Sequence, residues 1–254
     1  FIAIVGHTGS GKSTLVQLMN ALFLPTKGTV TVDNLIIDSK PKFKLKKVRQ
    51  KVGLVFQFPE YQIFEETVLK DIMFGPKNFG QTAIESQQKA IDASMVVGID
   101  QELLSRSPFA LSGGQMRKVA IAGILASNPD VLVLDEPTVG LDPKAKKELL
   151  RFLRDLNEKH HKSIILITHD MDVVGKYAKR VVVMKDGEVQ YDGSKSELFA
   201  KSDLKERFNL DYPPVMKLMR HLKEKLQVDI DVNQYFAYDA YQEIVAKMGE
   251  KHEQ

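Results

Sequence analysis

Eight residues near the start of the chain have the types and spacing to hold a chain of phosphates. Gly6, His7, Thr8, Gly9, Ser10, Gly11, Lys12 and Ser13 read Gly-x-x-x-x-Gly-Lys-Ser. Phosphates need backbone N–H groups aimed at them from several sides, and Gly6, Gly9 and Gly11, with no Cβ to clash, let the backbone curl that closely. Lys12 supplies positive charge for the outer phosphates, and Ser13 supplies a hydroxyl for Mg²⁺. The apolar residues 1–5 predict a buried strand. Thr14 opens a predicted helix over residues 14–22, whose N-terminus adds partial positive charge to the same site. The chemistry this arrangement predicts is binding of a nucleoside triphosphate with Mg²⁺.

Two acids stand in a second informative place. Residues 131–134 are Val-Leu-Val-Leu, and Asp135 and Glu136 follow at once. A strand this apolar belongs in a parallel sheet, and open α/β sheets bind ligands at the C-terminal ends of such strands. There Asp135 is placed to hold Mg²⁺ through water, and Glu136 to polarise a water for attack on a γ-phosphate. Two other strands end in polar residues. Gln57 follows the predicted strand 52–56, either as a plain polar terminus or as a contact for Mg²⁺ and the attacking water. His169 follows strand 164–168, where a γ-phosphate contact competes with a structural role. Ser112, Gly113, Gly114 and Gln115 open a further helix. Such a start is an N-cap with a loose entry loop, or a second anion-binding terminus. Asp142 before Pro143 has the signature of an N-cap at the head of helix 143–159.

These residues need a scaffold of the α/β type with a mostly parallel core sheet. The chain has 254 residues, no cysteine, 43% hydrophobic residues and a formal charge of +3. That suffices for one large domain with an appendage, excludes a disulfide framework or thiolate metal site, and argues neither for nor against nucleic acid. No apolar run approaches the roughly 20 residues that cross a bilayer. Phe1 in place of Met, inside a strand, leads us to expect a further piece upstream. Residues 66–108 read as mainly helical, with a helix over 82–97 stopped by Gly98, and we expect a helical subdomain over about 66–128. Residues 29–32 and 35–37 read as a hairpin through Asp33-Asn34, and 180–185 and 188–191 as another over Asp186-Gly187. A short helix is expected at 196–200. The run 40–51 is strongly basic: a solvated face, or a patch for anionic lipid or an acidic partner. The aromatic segment 58–64 is a satellite core or a contact for another protein. After Pro213-Pro214, Val215, Leu218, Met219, Leu222 and Leu226 recur at helical spacing. A second helix, opening with the capping-box-like pair Asp239 and Gln242, is expected to bury Tyr241, Ile244, Val245 and Met248. This tail, 206–254, is too small to be stable alone and must pack on the main domain, 1–205, or on another subunit.

Taken together, the motifs resemble the nucleotide-binding subunit of an ABC transporter. In that resemblance residues 6–13 are the Walker A loop and Gln57 is the Q-loop glutamine. Residues 111–115 (Leu-Ser-Gly-Gly-Gln) are the signature motif, and 131–136 the Walker B strand with its catalytic glutamate. Residues 139–142 are the D-loop, and His169 is the switch histidine. All stand in family order within about residues 1–200. The stretches Gly-His-Thr-Gly-Ser-Gly-Lys-Ser-Thr, Val55-Phe-Gln-Phe-Pro-Glu-Tyr-Gln-Ile-Phe and Ser112-Gly-Gly-Gln-Met-Arg resemble energy-coupling factor (ECF) ATPases, and Thr8 points to the second ATPase subunit of the pair.

The resemblance implies ATP as the nucleotide, with Mg²⁺, and a head-to-tail ATPase pair. Each ATP would lie between residues 6–14 of one subunit and Ser112–Gln115 of the other. Glu136 would be the base, with Gln57 and His169 assisting it. The implied partners are a homologous ATPase, a transmembrane coupling protein and a substrate-binding membrane subunit, on the cytoplasmic face of the membrane, with no nucleic acid. The implied cargo is a vitamin or other micronutrient, with a metal-ion or conventional ABC transporter as the alternative. A soluble ABC ATPase acting on nucleic acid or ribosomes is a further reading. The family's adenine-stacking aromatic lies upstream of the phosphate loop, so these residues do not define the base.

Overall fold

The computed structural model describes residues 1–252, with side chains through residue 247. In chain order, β1 (Ile2–Val5) leads to α1 (Lys12–Met19), β2 (Val30–Val32), β3 (Leu35–Ile37), α2 (Lys46–Lys51) and β4 (Val52–Val55). Then come α3 (Val68–Asn78), α4 (Ala83–Val96), α5 (Gly113–Leu125), β5 (Val131–Asp135), α6 (Pro143–Glu158) and β6 (Ser163–Ile167). The rest is α7 (Met171–Tyr177), β7 (Arg180–Lys185), β8 (Glu188–Ser194), α8 (Lys195–Phe199), α9 (Leu204–Phe208), α10 (Pro214–Leu226) and α11 (Ala237–His252). The chain divides into two compact units, Ser13–Ile167, and Phe1–Lys12 with Thr168–Gln254.

In the unit Ser13–Ile167, β4, β5 and β6 run parallel, with Leu54 opposite Val133 and Leu134 opposite Leu166. All four residues of β4 are buried, as are Leu132, Val133 and Leu134 of β5, the pattern of strands covered on both faces. On α6, Leu150, Leu153 and Leu156 form the buried stripe that helical spacing demands. The antiparallel pair β2–β3 closes over Ile37, Val48 and Ala21.

One local expectation is corrected within this unit, and two others gain detail. Helix α1 ends at Met19 rather than Leu22: Ala21 takes φ 55°, and the Leu22 N–H turns back to the Gln17 carbonyl. In α4, Thr82 and Glu85 form a reciprocal capping box, and Ser86, Ala90, Ala93 and Ser94 are buried while Ile84 is 83% and Met95 57% exposed. Small residues make the packed face there because α3 and α5 lie close, so the large apolar side chains point outward. The basic run splits: residues 46–51 form α2 with Val48 buried and Lys51 paired to Asp33, while Lys40, Lys42, Lys44 and Lys47 are exposed.

In the other unit, β1 pairs parallel with β7, and β7 antiparallel with β8. One core gathers Ala3, Val5, Val174, Val181, Val183, Leu198, Phe199 and Phe208. The tail packs into this core through Leu210 and Met216, with Tyr212, Val232 and Tyr235 partly buried against it. A Cβ on Gly175 would stand 2.8 Å from the Tyr235 ring and 3.0 Å from Pro213, so α7 and the tail meet too closely for any side chain there. Arg220 donates to the Phe199 carbonyl at 3.0 Å, and the Tyr212 hydroxyl donates to that of Lys201 at 2.6 Å. Of the residues expected on one face of α10, Met219 is buried and Val215 and Leu222 are partly buried, but Leu218 is 52% exposed and Leu226 is exposed. Met216 takes their place inside. In α11, Ala240 and Ile244 face inward, while Tyr241 (59%) and Val245 (48%) face out. Asp239 lies in the first turn rather than at the cap. Met248 lies outside the residues whose side chains are described.

Candidate nucleotide site

The phosphate loop follows directly from β1. Gly6 has φ 149°, and a Cβ there would stand 2.1 Å from the Met184 carbonyl oxygen, so only glycine lets the loop leave β1 beside β7. Gly9 has φ 84°, with no heavy atom within 4 Å of the position its Cβ would take, which leaves bare backbone at the tip. The Lys12 ammonium donates to the carbonyls of Gly6 at 2.9 Å and His7 at 2.8 Å, and to the buried Ser10 hydroxyl at 3.3 Å. The loop is thereby wrapped around a positive charge. The turn between β7 and β8 supports it: the Gly187 N–H donates to the Ser10 carbonyl at 3.2 Å, and Asp186 lies 3.6 Å from His7 Nε2. Asp186 and Gly187 are neighbours of the candidate loop that sequence reasoning treated only as a hairpin turn. Their strong turn chemistry was the signal present. Thr8 is exposed at the loop tip.

His169 is exposed and follows Thr168, whose N–H donates to the Ile4 carbonyl of β1 at 3.2 Å. Asp170 caps the unanticipated α7 by accepting from the Asp172 N–H at 2.9 Å and the Val173 N–H at 3.3 Å. That short helix holds the backbone just beyond His169. Gly6, His7, Ser10, Gly11, Lys12 and His169 therefore belong to one compact unit with the 186–187 turn.

The remaining candidates belong to Ser13–Ile167. Ser13 and Thr14 are exposed in the first turn of α1, and Gln57 is exposed two residues after β4. Asp135 ends β5 half-buried, and Glu136 follows with φ 48°, a backbone region uncommon for a residue with a Cβ. Its N–H donates to the Ile167 carbonyl at 3.1 Å, and its carbonyl accepts from the Val139 N–H at 3.2 Å. Ser112 and Gln115 form a capping box at the start of α5. The Ser112 N–H donates to Gln115 Oε1 at 2.9 Å, and the Gln115 N–H donates to Ser112 Oγ at 3.3 Å. Gly113 and Gly114 are exposed, with nothing within 4 Å of a hypothetical Cβ on either. The Asp142 carboxylate accepts from the N–H groups of Lys144 at 2.8 Å and Ala145 at 2.9 Å, so it caps α6.

Sequence reasoning missed one ion pair here. Arg117, on the inner face of α5, meets Glu60 in the short 3₁₀ turn Pro59–Gln62. Burial alone pushes the Glu60 carboxyl up, but the Arg117 hydrogen bond, a backbone hydrogen bond and the Arg117 charge outweigh it and hold Glu60 below the usual carboxylate range.

Comparison with known proteins shows the family. The ABC transporter family model matches residues 1–139. The chain is 49% identical over 253 residues, 99% of its length and 92% of the relative's, to the energy-coupling factor transporter ATP-binding protein EcfA2 of Bacillus subtilis (strain 168). It is 52% identical over 226 residues to the EcfA2 protein of Streptococcus agalactiae, covering 89% of this chain and 80% of that one. Among solved structures it is similar to cbiO1 from Clostridium perfringens, described as part of the ABC transporter complex cbiONQ. That match has TM-score 0.71 and 36% identity over 89% of this chain and 84% of that one. It is also similar to the ATP-binding cassette MJ0796 in a dimeric post-hydrolysis state with ADP and Pi, with TM-score 0.67 and 32% identity over 76% of this chain and 84% of that one. The chain belongs to the ABC transporter family, with the α/β P-loop fold of its ATPases. Within that family it is the ATP-binding, ATP-hydrolysing subunit of an ECF-type transporter, of the second kind in the ATPase pair.

Proposed function

We propose that this subunit powers micronutrient uptake by closing and reopening head to tail against a homologous ATPase. One ATP is gripped by Gly6, His7, Thr8, Gly9, Ser10, Gly11, Lys12, Ser13 and Thr14 of one subunit and faces Ser112, Gly113, Gly114, Gln115 and Asp142 of the other. The observation that carries this reading is the loop wrapped around Lys12, with bare backbone at Gly9. The open glycines at 113 and 114 support a second anion contact, which a single subunit would have no use for. Glu136 takes a proton from the attacking water, Gln57 orients that water, and His169 contacts the γ-phosphate.

Ser13, Gln57 and Asp135 offer a hydroxyl, an amide oxygen and a carboxylate, a hard-oxygen set that suits Mg²⁺. Among the described residues no group of three or more His, Cys, Asp or Glu stands together as a metal cage. Bound with the nucleotide, the cation would neutralise charge on its phosphates.

Among the described residues no helix is long and apolar enough to cross a membrane. The chain works peripherally, on the cytoplasmic face, against a transmembrane coupling protein and a substrate-binding membrane subunit, a reading that its likeness to EcfA2 proteins and to a part of the cbiONQ complex supports. A groove of about 220 Å³, lined by Gln50, Ile63, Phe64, Phe74 and Phe79, is the contact for the coupling protein. Phe64 and Phe74 are exposed and meet edge to face at 4.9 Å. The tail, 206–254, strengthens the ATPase pairing.

The experiment is reconstitution of the complex in proteoliposomes, with uptake of tritiated riboflavin, folate and thiamine and of radioactive cobalt(II) measured with and without ATP and Mg²⁺. ATP-dependent accumulation of one vitamin supports the reading. Accumulation of cobalt alone moves the cargo to metal ions, and turnover that answers only to RNA or DNA contradicts transport.

A further inference from the structure

We infer that Arg117 is a positioning residue, tying the segment after Gln57, the signature helix and the turn between Glu136 and Asp142 into one body that moves as a unit. The inference rests on the transport reading above and concerns how a push at the surface reaches the hydrolytic turn.

The geometry is specific. Arg117 Nε donates to Glu60 Oε2 at 3.0 Å, and its Nη2 donates to Glu60 Oε1 at 2.8 Å, a two-point carboxylate clasp. Its Nη1 donates to the carbonyls of Pro137 at 3.0 Å and Val139 at 3.1 Å. One guanidinium thus holds three chain segments with four hydrogen bonds. The side chains are nearly out of water, at 6% exposure for Arg117 and 14% for Glu60. In such surroundings a partner that leaves strands a buried charge, so the segments separate together or not at all.

Each segment has a distinct place in the proposed cycle. Glu60 lies three residues after Gln57, in the turn that carries the exposed Tyr61 and leads to Phe64. Arg117 lies two residues after Gln115, whose side chain caps α5. Pro137 and Val139 follow Glu136, and the Val139 N–H returns to the Glu136 carbonyl. Displacement of the 59–62 turn therefore pulls on α5 and on the backbone of Glu136 through one planar group. Lysine could not replace it, because an ammonium lacks the fork that spans a carboxylate and two carbonyls at once.

The test uses the complete transporter in proteoliposomes, with Glu60→Gln, Arg117→Lys and Arg117→Met. The readouts are the ATP KM, kcat per folded molecule, and cargo moved per ATP, using whichever of the four labelled cargoes the wild type accumulates. Glu60→Gln weakens the link to the 59–62 turn and leaves the carbonyl contacts, so cargo per ATP should fall by about 2- to 30-fold while KM holds. Arg117→Lys should show the same fall, and Arg117→Met should also lower kcat. Should Arg117→Met not fold, the other two variants decide. Cargo per ATP at the wild-type value in Glu60→Gln and Arg117→Lys would show that the network only packs the unit, and would overturn the inference. A wild-type complex with no ATP-driven uptake contradicts the transport reading instead.

Discussion

The backbone N–H of Glu136 donates to the carbonyl of Ile167 across 3.1 Å, so the glutamate after β5 is pinned to the last residue of its neighbour β6. With φ at 48°, the backbone of Glu136 turns out of the extended conformation of the strand that precedes it. The general base proposed for Glu136 needs a fixed position, and this pin supplies it.

Replacing Glu136 by glutamine keeps the size and the backbone pin but removes the carboxylate proposed as the base. Hydrolysis should slow by about 10²- to 10⁴-fold with ATP binding retained. Single-turnover phosphate release beside an ATP titration checks this, and unchanged turnover would remove Glu136 from the role.

Lys12 is held on the carbonyls of Gly6 and His7, so its loss takes away both the charge and the peg around which the loop closes. Lys12→Ala should weaken ATP binding by about tenfold or more, as expected for losing a charge-assisted contact. An isotherm overlying that of the wild type would contradict it.

Glu60 gives a pH signature. Its carboxyl sits below the usual range in the folded chain, so its contribution to stability is present above the unfolded value near 4.3 and is lost as pH falls through the lower folded value. Urea midpoints of the wild type and Glu60→Gln should differ at pH 7 and converge as pH falls from about 4.3 through the lower folded value. A difference that stays constant across that window would show that the clasp is not ionic in the folded state.

Leu218 of α10 and Tyr241 and Val245 of α11 are exposed. Leu218→Asp with Tyr241→Ala should leave the folded subunit intact, because neither side chain is buried, and weaken pairing with the second ATPase by about 1–2 kcal/mol. Sedimentation of the ATPase pair measures it; unchanged pairing would restrict the tail to packing on α7 and α8.

The motif residues and the strands that carry them are legible because the sequence is locally explicit there: buried runs such as 131–134, stopped by acids, have one structural solution. The helices α6 and α4 announce themselves through Asp142-Pro143 and Thr82-x-x-Glu85. Less legible is what depends on packing between distant segments. In α4 the inward face is Ser86, Ala90, Ala93 and Ser94, and hydrophobicity alone chooses the wrong side. Helix α7 has only seven residues, under two full turns, so its periodicity is weak. In the tail, Met216 goes inside and Leu218 outside because α7 comes close at Gly175, which no local pattern records. The Glu60–Arg117 clasp joins residues 57 positions apart and leaves no spacing signature at all.

The central claim is that this chain drives a membrane transporter as one of two paired ATPases. Affinity purification of the chain from detergent-solubilised membranes, with mass spectrometry of what accompanies it, tests that most directly. A second, related ATPase together with a coupling protein and small membrane subunits is the expected result. Recovery of ribosomal or nucleic-acid-bound proteins with no membrane protein would contradict it.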